Sequence, residues 1–380
     1  MRSVFVFSAL AAILPALGAP TVAPLTKRGA ENTYIIKLKD ETSQTDFVSA
    51  LKSGLTHPNS GLKHTYNVIS AVAVNVAPED LSFVRGLQGV EYIEQDQVMT
   101  LLFDKERREP DGAPSSEGAS CPKPSFNQDG GKDVTVYGID TGINTKHECF
   151  GGRASWGATY GVEKVNADTH GHGTHTAGTA VGNWYGVARA AKIVAVKVLG
   201  ASGAGMNSDV IAGVNYACEQ YDNKGRPRSI VTMSLGGGVS NALDDAIKAC
   251  ASKGMHFTVA AGNDNKDAVD YSPARVPVAN TVGAINSTCY KAGFSNFGSL
   301  LDIQAPGVDI LSAWNLPGNS SMKLSGTSMA TPNVAGVLAV ALGKYGQMSP
   351  EALADTMKSN AAPAAIGFPS GTTNKIAQLW

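Results

Sequence analysis

Three segments of the 380-residue chain carry side chains that could act together in acyl transfer. Ser328 lies in GTSMATP, just before the apolar run Val334 to Ala341, which predicts a buried helix. Asp140 ends the run VTVYGID, whose many β-branched residues predict a buried parallel strand. His172 lies in HGHGTHTAG, where small residues favour a tightly packed helix. In a serine–histidine–acid triad, the histidine accepts the serine proton and the acid orients the imidazole.

Each of these features alone has a simpler interpretation. Serine is an ordinary N-cap residue, so Ser328 by itself is weak evidence for a nucleophile. The histidine cluster could bind a metal, but neither an HExxH motif nor a partner acid at metal-ligand spacing accompanies it.

The chain order of acid, histidine and serine is the order found in subtilisin and not that of chymotrypsin or the α/β-hydrolases.

Five motifs in a fixed order resemble those of subtilisin-like serine proteases, and most closely the secreted fungal proteinase K type. They are DTG at 140–142, HGTHTAG at 172–178, SLGGG at 234–238, AAGN at 260–263 and GTSMATP at 326–332. The resemblance implies that Asp140 is the orienting acid, His172 the general base and Ser328 the nucleophile. It also implies that Asn263 donates to the oxyanion, although an ordinary turn residue after a strand is the alternative. His170 and His175 are interpreted as helix-start and packing residues.

Glycine-rich segments suggest how a substrate would bind. Residues 200–205 and 234–238 flank strand-like runs, where an extended peptide could add through main-chain hydrogen bonds, although simple turn chemistry explains glycines as well. The resemblance implies that the SLGG and AAGN segments line the pocket for the residue before the cut bond. Neither segment carries an acid, so we expect broad specificity with a preference for apolar and aromatic residues, and basic-site processing is the runner-up. The candidate substrate contacts are Ser234, Leu235, Gly236, Ala260, Gly262 and Gly203.

Strand-like and helix-like segments alternate after Asp140, which predicts an α/β fold with a mostly parallel sheet and helices on both faces. The predicted strands are at 193–198, 230–233 and 257–261, and the predicted helices at 209–218, 243–252 and 350–359.

The N-terminal part is expected to contain two separate units. Residues 1–19 have a charged start and a short apolar run, as in a cleaved signal peptide. Residues 20–118 then combine a linker at 105–118 with a small α+β module that resembles the inhibitory propeptide of subtilisin-like proteases. An unrelated small domain is the alternative. The predicted strands of the α+β module are 33–39, 66–76 and 90–96, and its predicted helices are 46–53 and 78–87.

The peptidase domain is predicted to occupy residues 119–380, with the maturation cut between about Gln97 and Ala119. The Pro-Trp-Gly-Leu stretch that usually begins the mature chain of proteinase K relatives is missing, so no single bond is chosen. A formal net charge of −1 gives no footprint for nucleic acid or an anionic membrane surface. We expect a monomer whose partners are peptide substrates and its own propeptide. The signal peptide predicts that it is secreted, with a vacuole-like compartment reached by the same route as the less favoured location.

Five cysteines in an oxidising compartment suggest two disulfides and one free thiol. Several pairings remain open, and Cys218 with Cys250 is the favoured one because both end successive helical runs. Asn286 and Asn319 lie in glycosylation sequons.

No catalytic cofactor is expected, but the resemblance implies a structural calcium site. Asp302 and the carbonyls of Pro277 and Ala279 match positions that hold calcium in proteinase K relatives, and hard oxygen ligands suit that ion. The alternative is that Asp302 merely ends a strand.

The sequence thus predicts a secreted serine endopeptidase made as a self-processed zymogen. A catalytically silent binding protein on the same fold and a non-peptidase esterase are the alternatives, because fold alone does not decide function.

Overall fold

The structure is a computed structural model that describes residues 21–22, 29–103, 121–122, 125–316 and 318–380. The predicted signal peptide at 1–19 and the predicted linker at 105–118 lie outside the described residues.

The N-terminal unit is a sheet covered on one face by two helices. Its strands follow the order β1-β5-β2-β4-β3, and β2, β4 and β5 alternate apolar side chains between two cores. Tyr34 and Ile36 face the helices of this unit, whereas Ile35 between them joins a core shared with the C-terminal part. The elements are β1 (Thr21–Val22), β2 (Gly29–Leu38), α1 (Gln44–Gly54), β3 (Gly61–Tyr66), β4 (Ala71–Asn75), α2 (Leu81–Gly86) and β5 (Val90–Leu101).

Three sequence-based expectations for this unit are wrong in detail. The predicted strand 66–76 is interrupted, because it spans the last residue of β3, a turn that ends at Ser70 with a positive φ of 48°, and β4, which pairs antiparallel with β3. The predicted helix 78–87 is a short 3₁₀ turn, Pro78–Asp80, followed by α2. Strand β5 also extends five residues beyond the predicted end at Asp96, because its last part pairs with strands of the C-terminal part.

The C-terminal part is built on a parallel sheet of order β14-β13-β12-β10-β6-β8-β7. Its strands, with four short strands outside that sheet, are β6 (Thr135–Asp140), β7 (Ala154–Thr159), β8 (Lys192–Lys197), β9 (Ala204–Met206), β10 (Ser229–Met233), β11 (Leu235–Gly236), β12 (His256–Ala260), β13 (Asn280–Ile285), β14 (Ile303–Pro306), β15 (Ile310–Ala313) and β16 (Ser321–Leu324).

Helices cover both faces of the parallel sheet, which confirms the predicted α/β architecture. Side chains that alternate along a strand enter different cores: Val136 of β6 joins the core of one face and Tyr137 that of the other. The first core includes α3 (His172–Val181), α6 (Thr327–Tyr345) and α7 (Pro350–Asn360), and the second includes α4 (Asn207–Asn223) and α5 (Asn241–Ser252).

The cysteines form the predicted bridge and a second one that the sequence does not specify. Cys218 in α4 is bonded to Cys250 in α5, which confirms the favoured pairing. The second disulfide joins Cys121 to Cys289, and Cys149 is buried as a free thiol. In the described part of the chain, no helix has the length and apolar character needed to cross a membrane.

Candidate active site

Asp140 and His172 meet at the carboxyl end of the parallel sheet. Asp140 is the last residue of β6 and His172 the first of α3. The Nδ1 atom of His172 lies 2.9 Å and 3.0 Å from the two carboxylate oxygens of Asp140. The backbone N–H of Thr141 donates to the same carboxylate at 2.7 Å, and the Thr176 hydroxyl lies 3.4 Å from it. Both side chains are buried, so this hydrogen bond is shielded from solvent.

A second carboxylate, Asp168, holds the loop that carries His172. One of its oxygens accepts hydrogen bonds from the Thr141 hydroxyl at 2.8 Å and from the backbone N–H of His170 and Gly171 at 3.1 Å and 2.8 Å. The other accepts from the backbone N–H and the hydroxyl of Thr174, at 2.9 Å and 2.6 Å. Asp168 therefore ties the end of β6 to the first turn of α3. It was not singled out from the sequence, although an acid two residues before a histidine cluster is a visible signal.

Ser328 lies in the first turn of α6, as the sequence predicts. Its Oγ donates to the carbonyl oxygen of Ser234 at 2.9 Å and accepts from the backbone N–H of Leu102 at 3.2 Å. The Nε2 atom of His172 is buried and makes no hydrogen bond with any described residue. The Ser328 hydroxyl is therefore turned toward Ser234, and the nitrogen that a general base would use is uncommitted.

The carbonyl oxygen of Leu102 lies close to Ser328, Gly326 and Asn263. The backbone N–H of Ser328 donates to the Leu102 carbonyl at 3.2 Å. Asn263 is anchored because its Oδ1 accepts from the backbone N–H and the hydroxyl of Thr327, at 3.0 Å and 2.8 Å. A Cβ on Gly326 would meet the Leu102 carbonyl oxygen and would lie 3.2 Å from Nδ2 of Asn263. Glycine at this position thus leaves room for both the carbonyl and the amide.

The end of β5 lies in a groove between β9 and β11. It pairs antiparallel with both, with Met99 opposite Gly205 and Leu101 opposite Leu235. Met99 is completely buried, and a Cβ on Gly237 would come within 2.6 Å of its sulfur. The two glycine-rich edges predicted to receive an extended peptide thus hold a segment of this chain.

The predicted substrate contacts lie around this segment at different positions. The Leu102 side chain lies over Gly236, whose Cβ would be 3.0 Å from it, and Gly203 faces Leu101 in the same way at 2.9 Å. The Ser234 carbonyl oxygen instead accepts from the Ser328 hydroxyl, Ala260 is the last residue of β12, and Gly262 directly precedes Asn263. The groove encloses about 970 Å³, and its lining also includes Asp264 and Lys266.

The two histidines beside His172 differ in their surroundings. The Nε2 atom of His175 lies 3.0 Å and 3.1 Å from the carbonyl oxygens of Ile310 and Met322, and burial lowers the pKa of its imidazole to about 4. His175 is therefore a packing residue, as predicted. The His170 ring instead faces Phe103, the residue after Leu102, with ring centroids 5.4 Å apart.

The residues predicted to bind calcium share a cleft, but Asp302 already has a cationic neighbour. Pro277, Ala279, Asp302 and Lys358 line this cleft. One oxygen of Asp302 accepts from the backbone N–H of Thr281 at 2.9 Å, and the other lies 3.4 Å from the Lys358 ammonium. No cluster of three or more acidic, histidine or cysteine side chains suited to a metal occurs among the described residues. A calcium ion would have to displace the ammonium, so this donor set fits calcium poorly.

Comparison with known families identifies both parts of the chain. The model of the subtilase family matches residues 131–377, and that of the peptidase inhibitor I9 family matches residues 33–102. The chain belongs to the subtilase family. It is accordingly a serine endopeptidase made as a zymogen, with an N-terminal inhibitor unit, which favours the peptidase hypothesis over the silent binding protein and the esterase.

Relatives cover nearly the whole of this subtilase. Subtilisin-like protease 4 of Arthroderma gypseum is 40% identical over 362 residues, which are 91% of this chain and 90% of the relative. A subtilisin-like protease of Coccidioides posadasii is 40% identical over 394 residues and covers 98% of each chain. A solved structure of a cold-adapted subtilisin-like serine proteinase is 44% identical with a TM-score of 0.62, and the match covers 66% of this chain and 90% of that one.

Proposed function

We propose that this subtilase cleaves peptide bonds with Ser328 as nucleophile, His172 as general base and Asp140 as orienting acid. The main support is the position of Leu102. Its carbonyl oxygen accepts from the Ser328 backbone N–H, and its own backbone N–H donates to the Ser328 hydroxyl oxygen. A peptide carbonyl is thereby held against the nucleophile. The hydrogen bond between His172 and Asp140 favours the tautomer in which Nε2 accepts a proton.

The reaction follows from these contacts. The Ser328 hydroxyl leaves the Ser234 carbonyl, transfers its proton to Nε2 of His172 and attacks the Leu102 carbonyl carbon. The oxygen that becomes negative is stabilised by the Ser328 backbone N–H, and Asn263 is the second donor. His172 then gives the proton to the leaving amine, and the carbon–nitrogen bond breaks to leave an acyl-enzyme. Water, activated by His172, hydrolyses the ester and regenerates Ser328.

The same observation supports Leu102–Phe103 as the bond cut during self-processing. Leu102 lies against the nucleophile, and the Phe103 ring lies 4.9 Å from the His172 ring between centroids, on the side from which the leaving amine departs. The match to the inhibitor family also ends at residue 102. This bond falls within the interval between Gln97 and Ala119 that the sequence predicts for maturation.

Replacement of Ser328 by alanine tests both statements. We expect Ser328→Ala to accumulate as the full precursor and to lack casein hydrolysis, whereas the wild-type chain yields a mature form whose first residue is Phe103. Mass spectrometry of the purified protein distinguishes these forms. Ser359→Ala, which removes a serine from the far end of α7, is the matched control and should process normally. Processing of Ser328→Ala in a host without other proteases would contradict the proposal.

The groove supports a preference for apolar residues before the cut bond. Leu102 lies over Gly236, and Met99, three residues earlier, is completely buried. Basic-site specificity is the second candidate, because Asp264 lines the same groove, but Lys266 beside it offsets that charge. Peptides that differ only in Leu, Phe or Arg before the cut bond decide between them. Faster cleavage after Arg than after Leu would favour the processing protease.

We infer that the enzyme is secreted, with residues 1–19 as a removed signal peptide. Two disulfides support an oxidising compartment. Asn319 is exposed within its sequon, whereas Oδ1 of Asn286 accepts from the backbone N–H groups of Thr288 and Tyr290, both at 3.0 Å. We therefore propose Asn319 as the glycan site in preference to Asn286. Asn319→Gln should remove a glycosidase-sensitive mass from the secreted protein, and Asn286→Gln should not.

A further inference from the structure

The Phe103 side chain lies on an apolar surface on the far side of the proposed cut bond. Its ring packs against a small cluster formed by Trp314, Leu324 and Met329. The His170 ring meets it edge to face, with centroids 5.4 Å apart and an interplanar angle of 79°. Phe103 thus contacts an apolar cluster on one side and the His170 ring on another, the latter in one of the geometries that aromatic pairs prefer.

This surface is built into the active-site loop. Trp314 is 6% exposed, and its ring packs on Gly171, where φ is 109° and a Cβ would come within 2.5 Å of the ring. The side-chain amide of Asn315 donates to the Asp168 carbonyl at 2.9 Å, which fixes the segment that follows Trp314. His170 lies next to Gly171 in the chain, and its ring is 6.3 Å from that of Trp314. The two rings are therefore held in one rigid unit with the start of α3.

We propose that His170 and Trp314 form a subsite that selects an aromatic residue immediately after the cut bond. The inference rests on the proposed function, because it requires Leu102–Phe103 to occupy the catalytic groove as a substrate does. A preformed surface gains binding without ordering new side chains, so its selectivity acts on every substrate and not only on the propeptide. The mature enzyme should accordingly prefer pairs in which an apolar residue precedes an aromatic one.

Internally quenched peptides test the inference with the mature enzyme. All carry Met, Thr, Leu and Leu before the cut bond, as residues 99–102 do, and differ only in Phe, Leu or Ala after it. We expect kcat/KM to be at least about tenfold higher for Phe than for Ala, and about fivefold higher for Phe than for Leu, since an aromatic pair adds to simple burial. The comparison with Leu separates recognition of the ring from recognition of size.

Two variants assign the preference to His170. In His170→Ala the ratio of kcat/KM for the Phe peptide over the Leu peptide should fall to near one. In His170→Phe this ratio should recover, because the phenyl ring that replaces the imidazole restores the edge-to-face contact. A merely structural role for His170 would lower the rates for all peptides and leave the ratio unchanged. Trp314→Leu should lower the preference for the Phe peptide over the Ala peptide. If Trp314→Leu does not fold, the comparison of His170→Ala with His170→Phe still tests the subsite.

The possible failures are distinguishable. Wild-type enzyme that cleaves none of the peptides would overturn the proposed function. Equal cleavage of the Phe and Leu peptides would leave the peptidase in place and overturn the aromatic subsite, and so would a Phe/Leu ratio that persists in His170→Ala.

Discussion

Single residues of this enzyme owe their positions to buried hydrogen bonds rather than to their own conformational preferences. Asp168 is the clearest case, because all five of its partners are donors: three backbone N–H groups and two threonine hydroxyls. It touches neither the nucleophile nor the base, so it is a positioning residue. The two oxygens of a carboxylate can accept from all of these donors. An asparagine amide in the same place has an NH₂ group instead of one oxygen, so its N–H bonds would point at donors and not at acceptors.

Asp168→Asn is therefore expected to lower kcat by about tenfold with little change in KM, and to destabilise the fold by about 2 kcal/mol, the typical value for hydrogen bonds to a buried charge. Peptide hydrolysis kinetics and thermal unfolding measure the two effects. Asp267→Asn is the matched control, since Asp267 is exposed and its carboxylate accepts from the backbone N–H of Val269 in a surface turn. A kcat equal to that of the control would show that the Asp168 contacts do not position His172.

The placement of secondary-structure elements explains how much the sequence could predict. Asp140 and His172 were predictable because each lies where an apolar strand or a helix of small residues meets a glycine turn, and a parallel sheet brings such ends together. The β3–β4 hairpin was not predictable from the sequence, because its turn, Asn67–Ser70, contains neither glycine nor proline and is set by tertiary packing. The contact of Leu102 with Ser328 joins residues 226 apart, and no local pattern encodes it.

Helix α7 supplies the ammonium beside Asp302, where the family resemblance implied calcium. Lys358 also lies 3.4 Å from Asp355 of its own helix, so removal of this lysine leaves two carboxylates without their cationic neighbour. A divalent cation would then replace the missing charge.

Lys358→Met is accordingly expected to make stability depend on calcium more strongly than in the wild type. The measurement is the difference in Tm between millimolar calcium and EDTA. Lys248→Met is the matched control, because Lys248 lines the same cleft but pairs with Asp245. Calcium shifts of equal size in all three proteins would mean that Lys358 does not compete with the ion.

At the scale of the whole molecule, the inhibitor unit caps two helices of the peptidase. Glu94 accepts from the backbone N–H of Asn241 at 2.8 Å and from the Ser240 hydroxyl, at the start of α5. Asp96 accepts from the backbone N–H and hydroxyl of Ser208 at the start of α4, at 2.8 Å and 2.5 Å. Both carboxylates are buried where the two units meet. Burial raises the pKa of Glu94 to about 7, against the hydrogen bonds from Ser240, Ala242 and Asn241 that lower it.

This shift predicts how the processed complex responds to pH. A carboxyl group whose pKa is raised in the complex binds protons when the complex forms, so its contribution to affinity is complete below the ordinary glutamate pKa of about 4.3 and is lost as pH rises through about 7. Burial raises the pKa of Asp96 as well, in the same direction. We expect the cleaved inhibitor to dissociate more readily at pH 8 than at pH 5.5, measured as the activity regained after dilution of the processed complex.

Glu94→Gln isolates this contribution, because glutamine keeps the shape and cannot ionise. The variant complex should lose much of the difference in inhibitor release between pH 5.5 and pH 8, while the pH dependence of peptide hydrolysis by the fully released enzyme stays unchanged. His64 bonds to Asp209 across the same interface at 2.7 Å, so the comparison is repeated in a His64→Gln background. If Glu94→Gln leaves the pH dependence of release intact in both backgrounds, the control of activation lies outside this buried cap. If the pH dependence of release disappears in Glu94→Gln, the carboxylate that caps the start of α5 also determines the pH range in which the cleaved inhibitor dissociates.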